Sequence, residues 1–449
     1  MKIRNSAWLV ILLFLCALWP SAAQNFADIK PSPQQVDWQD LEIGAIFHFG
    51  TNTFLDREWG DGTADPSVFN PPDVDADEWI RAAKAAGAKY VVLVAKHHDG
   101  FCLWPSALTD YGVKSSPWKG GKGDLVAEVA EAAHRNGLKF GIYLSPWDRH
   151  DPRYNHAPEY DKYYFGQLDE LASRYGELEE FWMDGAGSGG HVYDFDKIIE
   201  RLRMWQPNTL VFADVALYRY ADLRWVGNEE GQVPYENWDV VDRSGYLRWR
   251  PAEADTPLRK LHWFWHPNDE ASLKSVTELL GDYEQSVGRG AQLMLGIAPD
   301  RNGRVPEVDV RRLEEFGDAV GKRYAHNLVK EKGASLAASE ALDGDPGTFW
   351  AAPEGSRRAV VEVHFKEPVT FDRAVTMEWL VDGQRVRKYA VEVFEDGKWK
   401  PVARGQAIGH KKIDVFPPVR ARQVRLDLLE TTGAARIREF QLYSSAAAN

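Results

Sequence analysis

The spacing of apolar positions changes near residue 330 and divides the chain in two. Before that point, short unbroken apolar runs alternate with stretches of helical spacing. Residues 44–50 form the first run, with His48 near its end, and a loop rich in Gly, Asp and Pro follows, carrying Glu58 and Trp59. Residues 75–87 then place Trp79, Ile80, Ala83 and Ala86 on one helical face, with Gly87 as the stop. Residues 89–95 are almost wholly Val, Leu and Ala, the pattern of a parallel strand covered on both faces.

The unit recurs. A helix over 125–136 precedes a strand over 138–144 that runs into Ser145-Pro146-Trp147-Asp148, and a helix over about 159–175 precedes an apolar run at Phe181, Trp182 and Met183 that ends in Asp184 and then dissolves into glycine. A helix over 195–205 and a strand over 209–214 follow. Strand and helix alternating at this rhythm imply a parallel sheet, and this many repeats imply closure into a barrel. The later pattern is less regular. Residues 223–231 look like a strand end carrying carboxylates, but 215–222 leave little room for a helix, and 261–267 form the next strand candidate. A helix over 272–287, a last strand over 292–298 and a last helix over 308–320 complete the series.

Beyond residue 335 the period becomes two, at Val361, Val363 and Phe365, at Val391 and Val393, at Val424, Leu426 and Leu428, and at Phe440 and Leu442. Short alternating strands without a long helix indicate a β-sandwich. The expected fold class is therefore α/β: a (β/α)8-like (TIM) barrel over residues 24–330, irregular in its second half, followed by a β-sandwich over residues 335–449.

Residues 1–23 read as a secretory signal. Lys2 and Arg4 supply the positive start, residues 7–18 the apolar centre and Ser21-Ala22-Ala23 the cleavage site. The apolar run is short for a membrane span. The expectation is an exported protein, periplasmic or secreted, with no membrane insertion after cleavage. Removing the signal leaves Cys102 as the remaining cysteine, flanked by Phe101 and Leu103 like a small buried hydrophobe. A formal charge of -13 argues against nucleic acid as a partner. Eighteen Trp residues suit both large cores and the apolar faces of sugar rings.

His48, His97, His98, Tyr143, Trp147, Asp184, Glu229 and Glu230 all fall at or just past expected strand ends. In a barrel those ends converge on one face, where ligands bind. Two chemistries fit such a pocket. Three His and an Asp could hold a divalent metal, although the His-x-His spacing common in metal barrels is absent. Alternatively, Asp184 with Glu229 or Glu230 supplies the two carboxyl groups that glycoside hydrolysis needs. A catalytically silent glycan-binding protein is a third class.

His48-Phe49-Gly50, Glu58-Trp59, residues 96–101 followed by Trp104, Tyr143, Trp182-Met183-Asp184-Gly185, Trp265-His266, residues 286–289 and Pro299-Asp300 together resemble the family 29 α-L-fucosidases. The resemblance spans roughly residues 30–325. It implies a retaining hydrolase with Asp184 as nucleophile, and substrate contacts from His48, Glu58, Trp59, His97, His98, Tyr143 and Trp182. Asn228-Glu229 resembles the acid/base segment of the branch acting on α-1,3/1,4-linked fucose, which selects Glu229 over Glu230. The Ser145-Pro146-Trp147-Asp148 segment and the appended sandwich also look like that branch. A fucosylated oligosaccharide is the implied partner, with no cofactor and no catalytic metal. The chain departs from the family at Gly296, where an Asn is frequent. The sandwich resembles a discoidin-like, carbohydrate-binding domain, and Leu342-Asp343-Gly344-Asp345 with Trp350 fits the loop where some members hold calcium. From the residues alone that stretch reads as an acidic turn, and the sandwich as a support for the barrel.

Overall fold

The computed structural model describes residues 26–188, 190–213, 221–241, 247–260, 262–334 and 338–445; the expected leader at residues 1–23 lies outside them. Eight parallel strands close a barrel: β1 (Ile43–Phe47), β2 (Tyr90–Lys96), β3 (Lys139–Leu144), β4 (Glu180–Met183), β5 (Leu210–Ala213), β6 (Leu223–Trp225), β7 (Ala252–Pro257) and β8 (Gln292–Ile297). Except in β6 and at Lys139, every strand residue is buried, which is why the runs carry so few polar positions.

The helices between strands begin where the sequence offers a cap. In α1 (Ala76–Ala85), α2 (Leu125–Arg135) and α4 (Phe195–Trp205), Asp75, Asp124 and Asp194 each accept the amide three residues on. The intervening α3 (Ala157–Arg174) starts at a Pro-containing turn. In α5 (Val276–Gln285), Ser275 and Glu278 form a reciprocal capping box, and α6 (Glu307–Arg323) follows the last strand. Among the described residues no helix separates β5 from β6 or β6 from β7; the latter connection carries an antiparallel ribbon of Val240–Val241 and Arg248–Trp249. Among these residues, too, no helix is long and apolar enough to cross a membrane.

One element differs from expectation. The seventh strand is Ala252–Pro257, whereas 262–267 form a loop whose Trp263 and Phe264 lean over the barrel mouth. Strand β7 escapes notice because its pattern is inverted. Ala252 and Ala254 pack outward, and Glu253 and Asp255 point into the barrel, so no apolar run marks it.

The sandwich contains β9 (Gly333–Ala334), β10 (Trp350–Ala351), β11 (Ala359–Glu378), β12 (Val386–Glu395), β13 (Lys398–Gly405), β14 (Lys412–Thr431) and β15 (Arg436–Tyr443), all antiparallel. The two 20-residue strands β11 and β14 pair with register shifts after His364 and Phe371. Its own core includes Val361, Val363, Phe371, Tyr389, Leu426 and Phe440. Val375, Met377, Ile413 and Tyr443 instead join the core of the barrel, so the two cores are continuous across the junction. Around the junction Arg373 pairs with Glu284 at 2.8 Å and Arg438 with Asp40 at 2.6 Å. Glu42 is half-buried, and desolvation alone would raise its pKa, but Lys411 and His410 hold it well below the usual carboxylate range. At residues 343–348, Asp343 accepts the Asp345 amide and the Thr348 hydroxyl and Asp345 accepts the Gly347 amide, which makes a self-satisfied acidic turn.

Candidate active site

The C-terminal ends of the strands surround a cavity of about 310 Å³. His48, Trp59, His97, His98, Tyr143, Trp182, Asp184 and Glu229 line it. Glu58 does not. Its carboxylate accepts the Trp263 and Phe264 amides at 2.9 and 3.2 Å and meets His266 Nε2 at 2.6 Å, so it holds the loop after β7 in place. Ile46, Ala186, Trp225, Asp255, Trp263 and Met294 complete the wall and were not singled out from the sequence.

Adjacent His97 and His98 both reach the cavity because β2 stops at Lys96 and the chain turns, with the Gly100 amide donating to the His97 carbonyl at 3.0 Å. Gly100 has φ of +84°, and a Cβ there would come within 2.5 Å of Asp148 Oδ1. Beneath the turn, fully buried Lys96 donates to Asp148 Oδ2 at 3.0 Å and to Gln167 at 2.9 Å, while Asp148 Oδ1 accepts the His150 and Asp151 amides. The pair ties the end of β2 to the loop that follows β3.

All three cavity histidines are neutral. Burial pushes His48 down to about 3, with His98 adding to the effect, and pushes His97 well below the ordinary imidazole range. For His98, burial first and then the charges of Arg149 and Lys96 push it down to about 3. The Ser145 hydroxyl donates to the Trp147 carbonyl at 2.7 Å, so it accepts the His98 Nδ1 proton at 2.8 Å. Nε2 of His98 is then a bare acceptor, 3.5 Å from Asp184 Oδ2 and available to a ligand hydroxyl. Among the described residues no three His, Cys, Asp or Glu side chains are arranged to hold a metal ion.

Asp184 follows the last residue of β4. Its Oδ1 accepts the Ala186 amide at 2.8 Å and its Oδ2 the Tyr143 hydroxyl at 2.9 Å. Burial raises its pKa, and these two donors oppose the rise. Tyr143 stacks on Trp182, whose other face lies on Phe212 at 3.9 Å between centroids and whose indole donates to Glu253 at 2.9 Å. The orientation of Asp184 is thus fixed from the barrel interior outward.

Glu229 sits at the more open mouth. Partial burial raises its pKa, the Trp263 indole opposes the rise as a hydrogen-bond donor, and the charges of Asp184 and Glu58 add to it. The preceding Asn228 shapes the loop: its Oδ1 accepts the Glu230 amide and its Nδ2 donates to the Gln232 carbonyl, both at 3.0 Å. Gly296 permits the Trp263 position, because a Cβ at 296 would lie 2.7 Å from the indole. The same indole packs on His48, with centroids 5.1 Å apart. Cys102 is fully buried and its thiol is pushed up by that burial, which leaves it inert.

Comparison with known proteins follows the two structural parts. The Alpha-L-fucosidase family model matches residues 61–323, and the F5/8 type C domain model matches residues 327–440. Alpha-L-fucosidase 1 of Arabidopsis thaliana is 36% identical over 433 residues, 88% of this chain and 84% of that protein. The crystal structure of SpGH29 superposes with a TM-score of 0.86 at 35% identity, covering 93% of this chain and 98% of the other. A Ruminococcus gnavus GH29 fucosidase in complex with fucose superposes with a TM-score of 0.86 at 29% identity, covering 94% and 96%.

The Gly296 contact yields an expected outcome. Gly296→Ala forces the Trp263 ring aside, and a displaced donor beside Glu229 should lower kcat/KM for an aryl α-L-fucoside about ten- to a hundredfold with little change in thermal unfolding. Unchanged kinetics would show that the ring position does not matter to turnover.

Proposed function

The chain belongs to family 29 of the glycoside hydrolases and is an α-L-fucosidase, and on that premise we propose that it works by retention, with Asp184 as nucleophile and Glu229 as acid/base. The observation that carries this reading is that the two carboxyl groups share one cavity in unlike environments, with the charge of Asp184 raising Glu229. In the first step an Asp184 oxygen bonds to the anomeric carbon as the glycosidic C–O bond breaks, and Glu229 gives its proton to the leaving oxygen. In the second step Glu229 takes a proton from water. The water oxygen bonds to the anomeric carbon, the ester to Asp184 breaks, and fucose leaves with its starting configuration.

His48, Trp59, His97, His98, Tyr143 and Trp182 are proposed substrate contacts, with Glu58 acting through the loop that carries Trp263. Neutral imidazoles suit a substrate without charge, because they exchange hydrogen bonds with hydroxyls and add no net charge beside the developing oxocarbenium ion. Apolar Ile46 and Met294 at the wall suit a sugar whose C6 is a methyl group.

The proposed substrate is a branched glycan bearing α-1,3- or α-1,4-linked terminal fucose. Support comes from the Asn228-Glu229 segment and from a second groove that shares Glu229 with the cavity and continues along Glu230, Gln232, Lys260 and Lys274. Such a groove gives a neighbouring branch somewhere to lie. Export is proposed from the character of residues 1–23.

Kinetic, product and N-terminal measurements test these readings. Since kcat/KM requires Asp184 ionised and Glu229 protonated, activity should fall as pH drops through the raised Asp184 value and fall again as pH rises through the raised Glu229 value. Glu229→Gln should abolish the alkaline fall on an activated aryl fucoside, and Glu229→Ala should slow poor leaving groups far more than good ones, with azide restoring deglycosylation. A wild-type-like alkaline limb in Glu229→Gln would move the role to another group. On a panel of fucosylated oligosaccharides, α-1,3 and α-1,4 linkages should be cleaved at least about tenfold faster than α-1,2, a modest difference in transition-state binding; equal rates would remove the linkage assignment. N-terminal sequencing of the exported protein should begin at Gln24, and an intact Met1 would refute export through this segment.

A further inference from the structure

Below Asp184 and Glu229 the barrel holds three more carboxyl groups, Glu180, Glu253 and Asp255, exposed by 0%, 0% and 4%. The groups that act most strongly on them are other carboxyls, two indoles and a phenol. Glu253 is the hub. Its Oε1 accepts the Trp182 indole and its Oε2 the Tyr90 hydroxyl, each at 2.9 Å, and both Glu180 and Asp255 hydrogen-bond to it. Two carboxyl groups can hydrogen-bond only through a proton, so Glu253 and Asp255 share one.

Glu253 and Asp255 lie two residues apart on the inward face of β7. Glu253 therefore sits deep, and Asp255 one step nearer the mouth, in the wall of the cavity with Asp184 and Glu229. No N–H or hydroxyl of the described residues serves the enclosed Oδ1 of Asp255. Glu253 engages the Asp255 carboxyl, and the same side chain also lines the cavity. A buried acceptor without a partner is costly, and in a ligand pocket a ligand group is the natural partner.

We propose that Asp255 is a further substrate-contacting residue: its carboxyl, bridged to Glu253 by the shared proton, presents an oxygen that accepts a hydroxyl proton of the bound sugar ring. The inference rests on reading the cavity as the fucose site. Burial, followed by the charges of Glu253, Glu229 and Asp184, raises Asp255 well above the ordinary carboxylate range, in keeping with its holding the shared proton. The groups facing it are Glu253 on its own strand, Glu180 and Asp184 from β4 and its end, and Glu229 from the loop after β6. A neutral acceptor here adds a contact without placing a third negative charge beside the nucleophile.

The test compares three variants of the full chain. An amide supplies both an acceptor for the sugar and an N–H for Glu253, so Asp255→Asn should act as a partial rescue, weakening fucose inhibition and kcat/KM for an aryl α-L-fucoside at least about threefold less than Asp255→Ala does. Asp255→Ala, with Asp255→Leu as the volume-filling control should Ala fail to fold, should weaken fucose inhibition about tenfold or more and lower kcat/KM by at least as much. Among monodeoxy aryl fucosides, one should lose about tenfold or more with wild type yet lose nothing further with the Ala or Leu variant, identifying the contacted hydroxyl. Wild-type fucose inhibition in Ala or Leu, an Asn variant as damaged as Ala at unchanged thermal stability, or the same deoxy losses in wild type and variant would each overturn the proposal. A wild-type chain that neither cleaves aryl fucosides nor is inhibited by fucose would instead overturn the reading of the cavity itself, before any variant is compared.

Discussion

The interior of a closed parallel barrel gives ionisable groups no water, and the way each one escapes that cost organises the site. Lys96 and Asp148 escape by pairing, with amides and Gln167 completing their hydrogen bonds. The three histidines escape by staying neutral. Glu180, Glu253 and Asp255, all raised by burial, escape by hydrogen-bonding to one another around Glu253, which also accepts an indole and a phenol. Removing one member of such an arrangement strands its partner, which is why these groups act as a framework as well as a lining.

The same constraint separates the two carboxyl groups at the mouth. Asp184 has a donor on each oxygen, one from the backbone and one from Tyr143, which favour its charged form against burial. Glu229 has a single indole donor and the negative field of Asp184 and Glu58. The proposed roles need an ionised attacking group and a protonated donor, and two donors on Asp184 against one on Glu229 favour that ordering. The arrangement has depth: Glu253 holds Trp182, Trp182 stacks on Tyr143, and Tyr143 holds Asp184. A carboxylate at a glycine-rich strand end thereby gains the rigidity of the barrel core.

Most of the barrel was legible because its strands are buried on both faces and so read as apolar runs between capped helices. Helix α4 was expected at its observed bounds, and β1 to β4 within a few residues. Strand β7 was not legible, since Glu253 and Asp255 replace the apolar inward positions that a pattern search relies on. Residues 261–267 mimicked a strand because Trp263, Phe264 and Trp265 are aromatic, yet from a loop Trp263 lines the cavity and Phe264 packs behind it on His48 and His97. Asp184 was visible as the lone carboxylate ending an apolar run, whereas Asp255 needed the register of β7 to show that it faces the same space. Gly296 was visible only as a departure; the structure gives the reason, the room needed by Trp263.

The position of the sandwich follows from the polarity of the barrel. Its contacts reach Asp40 and Glu42 just before β1, Tyr235 and Glu236 before β7, and Glu284 to Arg289 just before β8. All of these belong to segments that enter strands at their N-terminal ends, opposite the cavity, where residues serve stability. The Glu42 carboxylate, held ionised by Lys411 and His410, and the Arg373–Glu284 pair fix the sandwich to the turns that set the starting points of β1 and β8. Those two strands pair with one another to close the barrel, and they carry Ile46 and Met294 into the cavity wall while Gly296 leaves space for Trp263. By gripping the seam from below, the sandwich braces the register on which the wall depends.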